Sequence, residues 1–365
     1  MTKSPRARDI GLQFDGTPGP LNAITDVAGI TVGFSTVIED PIAGVHNGLC
    51  TGVTAIIPRG ASGDIEPVWA GIHSFNGNGE LTGSHHIKDL GWFMGPVMLT
   101  NSHSVGIVSH ATVGWMIARY PEVFAKDHMW CLPVVGETYD GALNDINARG
   151  VTEAHALQSL NTAATGPVSE GNVGGGTGMI TYEFKGGTGT ASRRVEIAGK
   201  SYDLGVLVQA NHGTRDWLEI SGVPVGRLMR DDLVAPSDLG SIIVVIATDA
   251  PLLPHQLDRL ARRGGLGIGR NGTKGGHSSG DIFLAFSTAN PQKNPWYAPD
   301  IMLLEALKDT HLDPLFAAAV QATEEAVVNA MIAATDRIAV KPKGKVVRAI
   351  DHQRLMEVIR AYRRT

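Results

Sequence analysis

Short apolar runs closed off by Gly, Asn, Asp or Pro recur along this chain and set its predicted strands. They lie at 29–34 (GITVGF), 52–58 (GVTAIIP), 105–110 (VGIVSH), 130–138 (WCLPVVGET), 178–184 (GMITYEF), 193–199 (RRVEIAG), 202–211 (YDLGVLVQAN), 241–249 (SIIVVIATD) and 281–290 (DIFLAFSTAN). Helical spacing of apolar positions predicts helices at 110–124, 151–164 (opening on Thr152 as N-cap), 254–265, 313–336 and 351–364. The third opens on Pro254 and stops at glycine, the usual asymmetry of helix ends. The fourth, DPLFAAAVQATEEAVVNAMIAATD, carries Ala, Val and Met suited to packing on a sheet. Strands and helices mix without the strict alternation of a doubly wound fold, so a layered α+β architecture with sheets between helices is the expected class. No repeat and no shift in composition marks a linker. The one candidate boundary is RDDLVAPSDLG (230–240), charged and containing proline. A cut at its end leaves a second piece that begins with a core strand, so both pieces stay in one domain spanning 1–365.

Composition narrows the function classes. The 365 residues are 43% hydrophobic and 18% charged, enough for a sizeable core. A net charge of −5 offers no basic excess, so nucleic acid is not an expected partner. The two cysteines, Cys50 and Cys131, cannot build a disulfide framework or a Cys-pair zinc site and fit a reducing compartment. The N-terminal MTKSPRARDIGLQFDG is basic with no apolar run behind it, and no window holds 18 uninterrupted apolar residues. Neither a secretory signal nor a membrane span is expected, and the expected location is the cytoplasm. Glycine is the unusual feature: 45 residues, about one in eight, clustered at 74–83, 170–179, 184–191 and 264–281 against a typical usage of roughly 7%. Glycine serves where backbone turns with positive φ or passes close to another group, so several tight loops are expected to converge on one site.

Several familiar patterns fail on context. GIGRNG (267–272) matches a dinucleotide fingerprint, but it follows a predicted helix where that motif needs a strand before it. AGKS (198–201) resembles the end of a P-loop, yet Arg194 stands where the leading glycine belongs. GHSSG (276–280) matches the nucleophile elbow around Ser278, but a glycine loop precedes it and a strand follows, the reverse of the required order. The 13 histidines include His85-His86 but no H-E-x-x-H or helical pair with a third ligand, so neither metal nor cofactor is expected. His212, after Asn211 at the end of an apolar strand, is the histidine to watch.

At DLGSIIVVIATDAPL (238–252) glycine and then serine stand directly before a buried strand. Turn residues ahead of a strand are the ordinary reading. The chemical reading is that the Gly240–Ser241 bond cleaves itself. A serine hydroxyl needs a base within reach, and with no recognisable Ser-His-Asp arrangement the serine's own α-amine can serve. That amine titrates near 7.7–8.0 when unperturbed. Glycine before it tolerates a strained peptide and lets the hydroxyl reach the preceding carbonyl.

The blocks at 19–34, 137–147 (ETYDGALNDIN), 170–193, 207–218 (LVQANHGTRDWL), 240–263, 270–290 and 323–334 (TEEAVVNAMIAA) together resemble the L-aminopeptidase/D-esterase family, which includes the β-peptidyl aminopeptidases. The resemblance implies a four-layer αββα sandwich, similar to N-terminal-nucleophile hydrolases but connected differently. It implies self-cleavage into an α chain (1–240) and a β chain (241–365), assembled as a homotetramer. By the family's pattern Ser241 is the nucleophile, Tyr139 the tyrosine beside it and Asn211 the oxyanion donor. Ser279 and Asp281 flank the nucleophile's amine, with Asp281 standing where other members carry Glu, and Glu137 anchors the substrate's amino group. A carboxylate suits an ammonium and an asparagine amide suits an oxyanion. Trp130 is a further candidate for the pocket wall. The implied substrates are short peptides, amino-acid amides or esters with a free amine, whether L-α-amino acids, D-alanyl compounds or β-peptides. Two rivals remain. An ornithine-acetyltransferase-like acyltransferase on the same fold uses threonine after the cut, where this chain has Ser241; an uncleaved binding protein need not keep Ser241, Asn211, Ser279 and Asp281 together.

Overall fold

The computed structural model describes residues 4–60, 65–233, 240–291 and 298–364. Its first half runs β1 (Thr31–Glu39), β2 (Leu49–Ile57), β3 (Pro67–Ser74), α1 (Ser84–Leu90), β4 (Trp92–Met94), β5 (Val97–Asn101), α2 (Val105–Arg119), α3 (Pro121–Lys126), β6 (Val134–Thr138) and α4 (Glu153–Asn161). The second half continues with β7 (Ile180–Thr181), β8 (Phe184–Lys185), β9 (Gly187–Ile197), β10 (Lys200–Asn211), α5 (Val225–Leu228), β11 (Ser241–Thr248), α6 (Pro254–Ala261), α7 (Arg263–Arg270), β12 (Ile282–Ser287), α8 (Asp313–Ile332), β13 (Arg337–Ile338), β14 (Val346–Val347) and α9 (His352–Tyr362).

Two sheets form the centre, one ordered β1-β2-β5-β6 and the other β4-β3-β12-β11-β10-β9. Between them Val32, Ile56, Leu99 and Val134 of the first sheet meet Leu207, Ile243, Val245 and Phe286 of the second in one apolar cluster. The outer face of the first sheet (Val53, Ala55, Met98) is covered by α2 and α4 through Val108, Trp115 and Leu160. The outer face of the second (Val206, Val244, Phe283) is covered by α6, α7 and α8 through Leu257, Ile268 and Leu315. This is the expected αββα layering. Central strands buried on both faces are apolar at nearly every position, and β11, SIIVVIAT, is buried throughout.

Three local readings need correction. Residues 105–110 are not a strand but the first turns of α2, because the apolar periodicity runs on to Arg119; Pro121 then opens α3. The helix at 254 does not stop at glycine: α6 passes at Arg262 into α7, so the glycine pattern at 267–272 begins inside a helix. Its glycines are there for packing, since a Cβ on Gly264 would meet the Phe283 ring at 2.9 Å and one on Gly267 would meet Thr323 at 2.5 Å. Third, β3 and β5 lack the alternation that would have announced them, and β9 starts six residues early within GTGTAS. There a Cβ on Gly189 would lie 2.0 Å from the Ala326 carbonyl oxygen of α8. The AGKS segment is the β9–β10 turn, with Ala198 and Gly199 both at positive φ. Of the candidate boundary, residues 234–239 lie outside the described residues.

Candidate active site

Strand polarity gathers the site at one end of the sandwich. β10 and β11 are antiparallel with Asn211 opposite Ser241, while β11 and β12 are parallel with Ile243 opposite Ile282. The end of β10, the start of β11 and the residue before β12 therefore coincide. Directly opposed residues in an antiparallel pair project to the same face, so the Asn211 and Ser241 side chains share one. Both are buried.

Each side chain is held by named contacts. The Ser241 hydroxyl oxygen accepts the Gly280 backbone N–H at 2.9 Å. Ser279 donates to Asp281 Oδ1 at 2.5 Å, and the same oxygen accepts the Ile242 N–H at 3.1 Å, so the carboxylate sits one residue from the Ser241 nitrogen. Asn211 is oriented at both ends of its amide: Oδ1 accepts the Ile180 N–H at 2.7 Å and Nδ2 donates to the Tyr139 carbonyl at 2.9 Å. Gly240 has no room for a side chain, since a Cβ there would lie 1.6 Å from the Asn211 carbonyl oxygen.

Glu137, near the end of β6, reaches the same end from the other sheet. Its Oε1 accepts the Glu80 N–H at 3.0 Å and its Oε2 accepts the Ser102 hydroxyl. Two glycine loops join it to the nucleophile side. Gly280 lies against the Asn78 carbonyl, which a Cβ would approach to 2.2 Å, and a Cβ on Gly79 would lie 3.0 Å from the Gly280 oxygen and 3.4 Å from Glu137 Oε1. The convergence that the glycine clusters suggested thus has a geometric basis, with 74–83 packed on 276–281 beside Glu137.

Tyr139 contributes its carbonyl to Asn211 and leaves its ring half exposed over Gly141. Trp130 is also half exposed, edge-on to His86 at 5.8 Å between centroids, and so lies outside the packed core. His212 takes no chemical role: it is fully buried against Tyr182, neither ring nitrogen has a hydrogen-bond partner among the described residues, and burial pulls its pKa down to about 3. Beside the site, burial raises the Asp140 pKa to about 7 against hydrogen bonds from Thr51, Asn144 and Asn101. No group of three His, Cys, Asp or Glu side chains among the described residues is arranged to hold a metal. The sequence reading missed Ser102 and the N–H groups of Glu80, Gly280 and Ile180. The glycine clusters were the only signal for the backbone donors, and Ser102 had none.

Comparison with known proteins agrees with this geometry. The profile of Peptidase family S58 matches residues 22–343. The β-peptidyl aminopeptidase BapA of Sphingosinicella microcystinivorans is 47% identical over 381 residues, covering 99% of this chain and 93% of that protein. Among solved structures, the L-aminopeptidase D-Ala-esterase/amidase of Ochrobactrum anthropi, a variant of the Ntn-hydrolase fold, superposes with a TM-score of 0.95 at 57% identity over 99% of both chains. A β-aminopeptidase from Burkholderia sp. gives 0.89 at 45% identity, covering 98% of this chain and 99% of that one. The chain belongs to peptidase family S58 and is a serine-type aminopeptidase of the Ntn-hydrolase variant fold.

Proposed function

We propose that this aminopeptidase makes its own nucleophile by cleaving the Gly240–Ser241 bond, and that Ser241 then releases N-terminal residues from short peptides, amides or esters. In the first reaction the Ser241 hydroxyl attacks the Gly240 carbonyl carbon and the C–N bond breaks. The product is an ester with a free α-amine on Ser241; water hydrolyses that ester, leaving a carboxylate on Gly240 and restoring the hydroxyl. In each later turnover the Ser241 α-amine takes the hydroxyl proton and returns it to the leaving group. Asp281, with Ser279, holds that amine, and the contact from Asp281 Oδ1 to the neighbouring Ile242 N–H supports this role.

The observation that carries the reading is the pairing of Ser241 with Asn211 on one face, with the Asn211 amide fixed so that Nδ2 is its donor end. A substrate carbonyl over Ser241 then places its developing oxyanion against that donor. Glu137 takes the substrate ammonium, which limits the enzyme to free N-termini; Tyr139 and Trp130 line the approach. The 57% identity to an L-aminopeptidase D-Ala-esterase/amidase favours L-α- and D-alanyl substrates over β-peptides. The assembly expected of the cleaved units is a homotetramer.

Intact mass under denaturing conditions tests the first step. Wild type should give two chains, one starting Ser-Ile-Ile-Val, and Ser241→Ala a single inactive chain. A wild-type chain that stays whole while hydrolysing aminoacyl p-nitroanilides would sink the mechanism.

A further inference from the structure

Lys185 is a fully buried cation that the reaction outlined above does not use. It ends β8, and its Nζ donates to the carbonyls of Met179 at 2.8 Å, Gly186 at 2.8 Å and, more loosely, Gly176 at 3.4 Å. Three carbonyls around three N–H donors suit the charged ammonium. Burying that charge costs several kcal/mol, and a methionine would fill similar space without the cost.

The Met179 carbonyl belongs to the same peptide group as the Ile180 N–H, and that N–H is the donor to Asn211 Oδ1 at 2.7 Å. An unbroken chain of dipoles therefore runs from the Lys185 ammonium through the Met179–Ile180 peptide to the Asn211 side-chain amide. We propose that Lys185 is a positioning residue for the oxyanion donor: it fixes the Met179–Ile180 peptide and polarises it, making Asn211 Nδ2 a better-placed and stronger donor. Each hydrogen bond in such a chain strengthens the next by roughly 10–30%.

The surrounding hairpin fits this task. β7 and β8 turn through Tyr182 and Glu183, both at positive φ (51° and 62°) although neither is glycine or asparagine. Such a turn stores strain. Arg215 holds it from below, donating Nε to the Tyr182 carbonyl and Nη2 to the Glu183 carbonyl, both at 2.9 Å. Along the other side Thr181 bonds the Ala210 carbonyl and Tyr182 N–H bonds that of His212, so the hairpin is stitched along the end of β10 on either side of Asn211. Loss of Lys185 removes a charged contact on the peptide that meets Asn211.

The inference rests on Asn211 being the oxyanion donor, and a double-mutant cycle separates the two ideas. Activity is expressed per mole of chain beginning at Ser241, counted by mass. Lys185→Met should lower kcat about ten- to thirty-fold with KM within twofold, a fraction of the ~10²–10³ carried by a whole oxyanion donor. In an Asn211→Ala background the same change should have no further effect. A kcat within twofold of wild type overturns the proposal, as does a loss that persists undiminished without Asn211 or that falls mainly on KM. If Asn211→Ala itself leaves kcat intact, the oxyanion assignment fails instead. A second measurement needs neither processing nor a lysine substitution. In Ser241→Ala labelled with ¹⁵N-asparagine and ¹³Cε-lysine, the Asn211 Nδ2 resonance (assigned by its loss in Asn211→Ser) should shift with the midpoint that the Lys185 ¹³Cε signal itself shows, and so be told apart from a step due to Asp140 next to Tyr139. Burial brings the Lys185 pKa down to about 7; Cys50 and Arg337 are the titratable and charged groups facing it. An Nδ2 resonance that does not follow the Lys185 ¹³Cε midpoint overturns the proposal.

Discussion

Replacing Glu137 by glutamine tests the proposal that its charge reads the substrate's free amine. The carboxylate is buried, and its two contacts are the Glu80 N–H on Oε1 and the Ser102 hydroxyl on Oε2. Glutamine keeps both: its carbonyl accepts from Glu80, and the Ser102 hydroxyl rotates to accept from the new amide. The fold and the processing reaction should be unaffected, since no ammonium occupies this position during self-cleavage. What is lost is the difference between a charge-assisted and a neutral hydrogen bond to a partly desolvated ammonium, about 2–3 kcal/mol. That is roughly a 30- to 150-fold fall in kcat/KM, carried mostly by KM because the ammonium is bound equally in ground and transition states. The assay compares an aminoacyl p-nitroanilide with its N-acetylated counterpart, at matched amounts of processed enzyme. Wild type should reject the acetylated compound and Glu137→Gln should narrow the gap by the same factor. A variant within threefold of wild type on the free-amine substrate would refute Glu137 as the anchor and move recognition of the amine elsewhere at this end of the sandwich.

Two further outcomes follow from the packing. Gly240→Ala places a Cβ 1.6 Å from the Asn211 carbonyl oxygen, a backbone atom fixed in the β10–β11 pair. It should fold and remain uncleaved by intact mass over days, and cleavage at the wild-type rate would show that this close approach is not required. Glu325 of α8 is fully buried and holds Arg8 with two bonds, Arg193 at 2.8 Å and Asn22 at 2.6 Å. Burial works against its charged form, but the Arg8 bonds, the Arg193 charge and the Asn22 amide together hold its pKa below the usual glutamate value. A depressed pKa contributes stability above the unfolded value, lost as pH falls through the folded one. Glu325→Gln, which leaves Arg193 buried without its charged partner, should cost about 3–5 kcal/mol at pH 7. Urea unfolding of the single-chain Ser241→Ala form measures this, and the gap should close as pH falls below the Glu325 pKa. A gap that does not narrow at any pH down to the acid unfolding of the parent would exclude the ion pair as its source.

The layered class and the places of Ser241 and Asn211 at strand ends were legible because local signals agreed with tertiary placement, whereas Ser279 and Asp281 were singled out by the family resemblance alone. Ser241 begins an uninterrupted apolar run that only a strand buried on both faces uses, and Asn211 ends another. The strands that escaped notice are those whose environment erased the pattern. β9 begins in GTGTAS because α8 lies so close that only glycine fits at 189, and Ala191 alone is left there as an apolar sign of a core strand. The helix at 105 was mistaken for a strand because its first turn is β-branched, and periodicity over six residues cannot tell a buried strand from one face of a helix. Lys185 shows the deeper limit. A lone lysine after a single phenylalanine in EFKGGTG reads as a solvated charge beside a turn. Its meaning is set by three carbonyls from the segment folded around it and by a peptide group that links it to Asn211, 26 residues further on. Residue type and spacing report what a side chain can do, whereas the backbone donors and buried charges that tune this site are assigned by the folded path of the chain. The glycines permit that path, and the sequence marks where they stand without saying what they let pass.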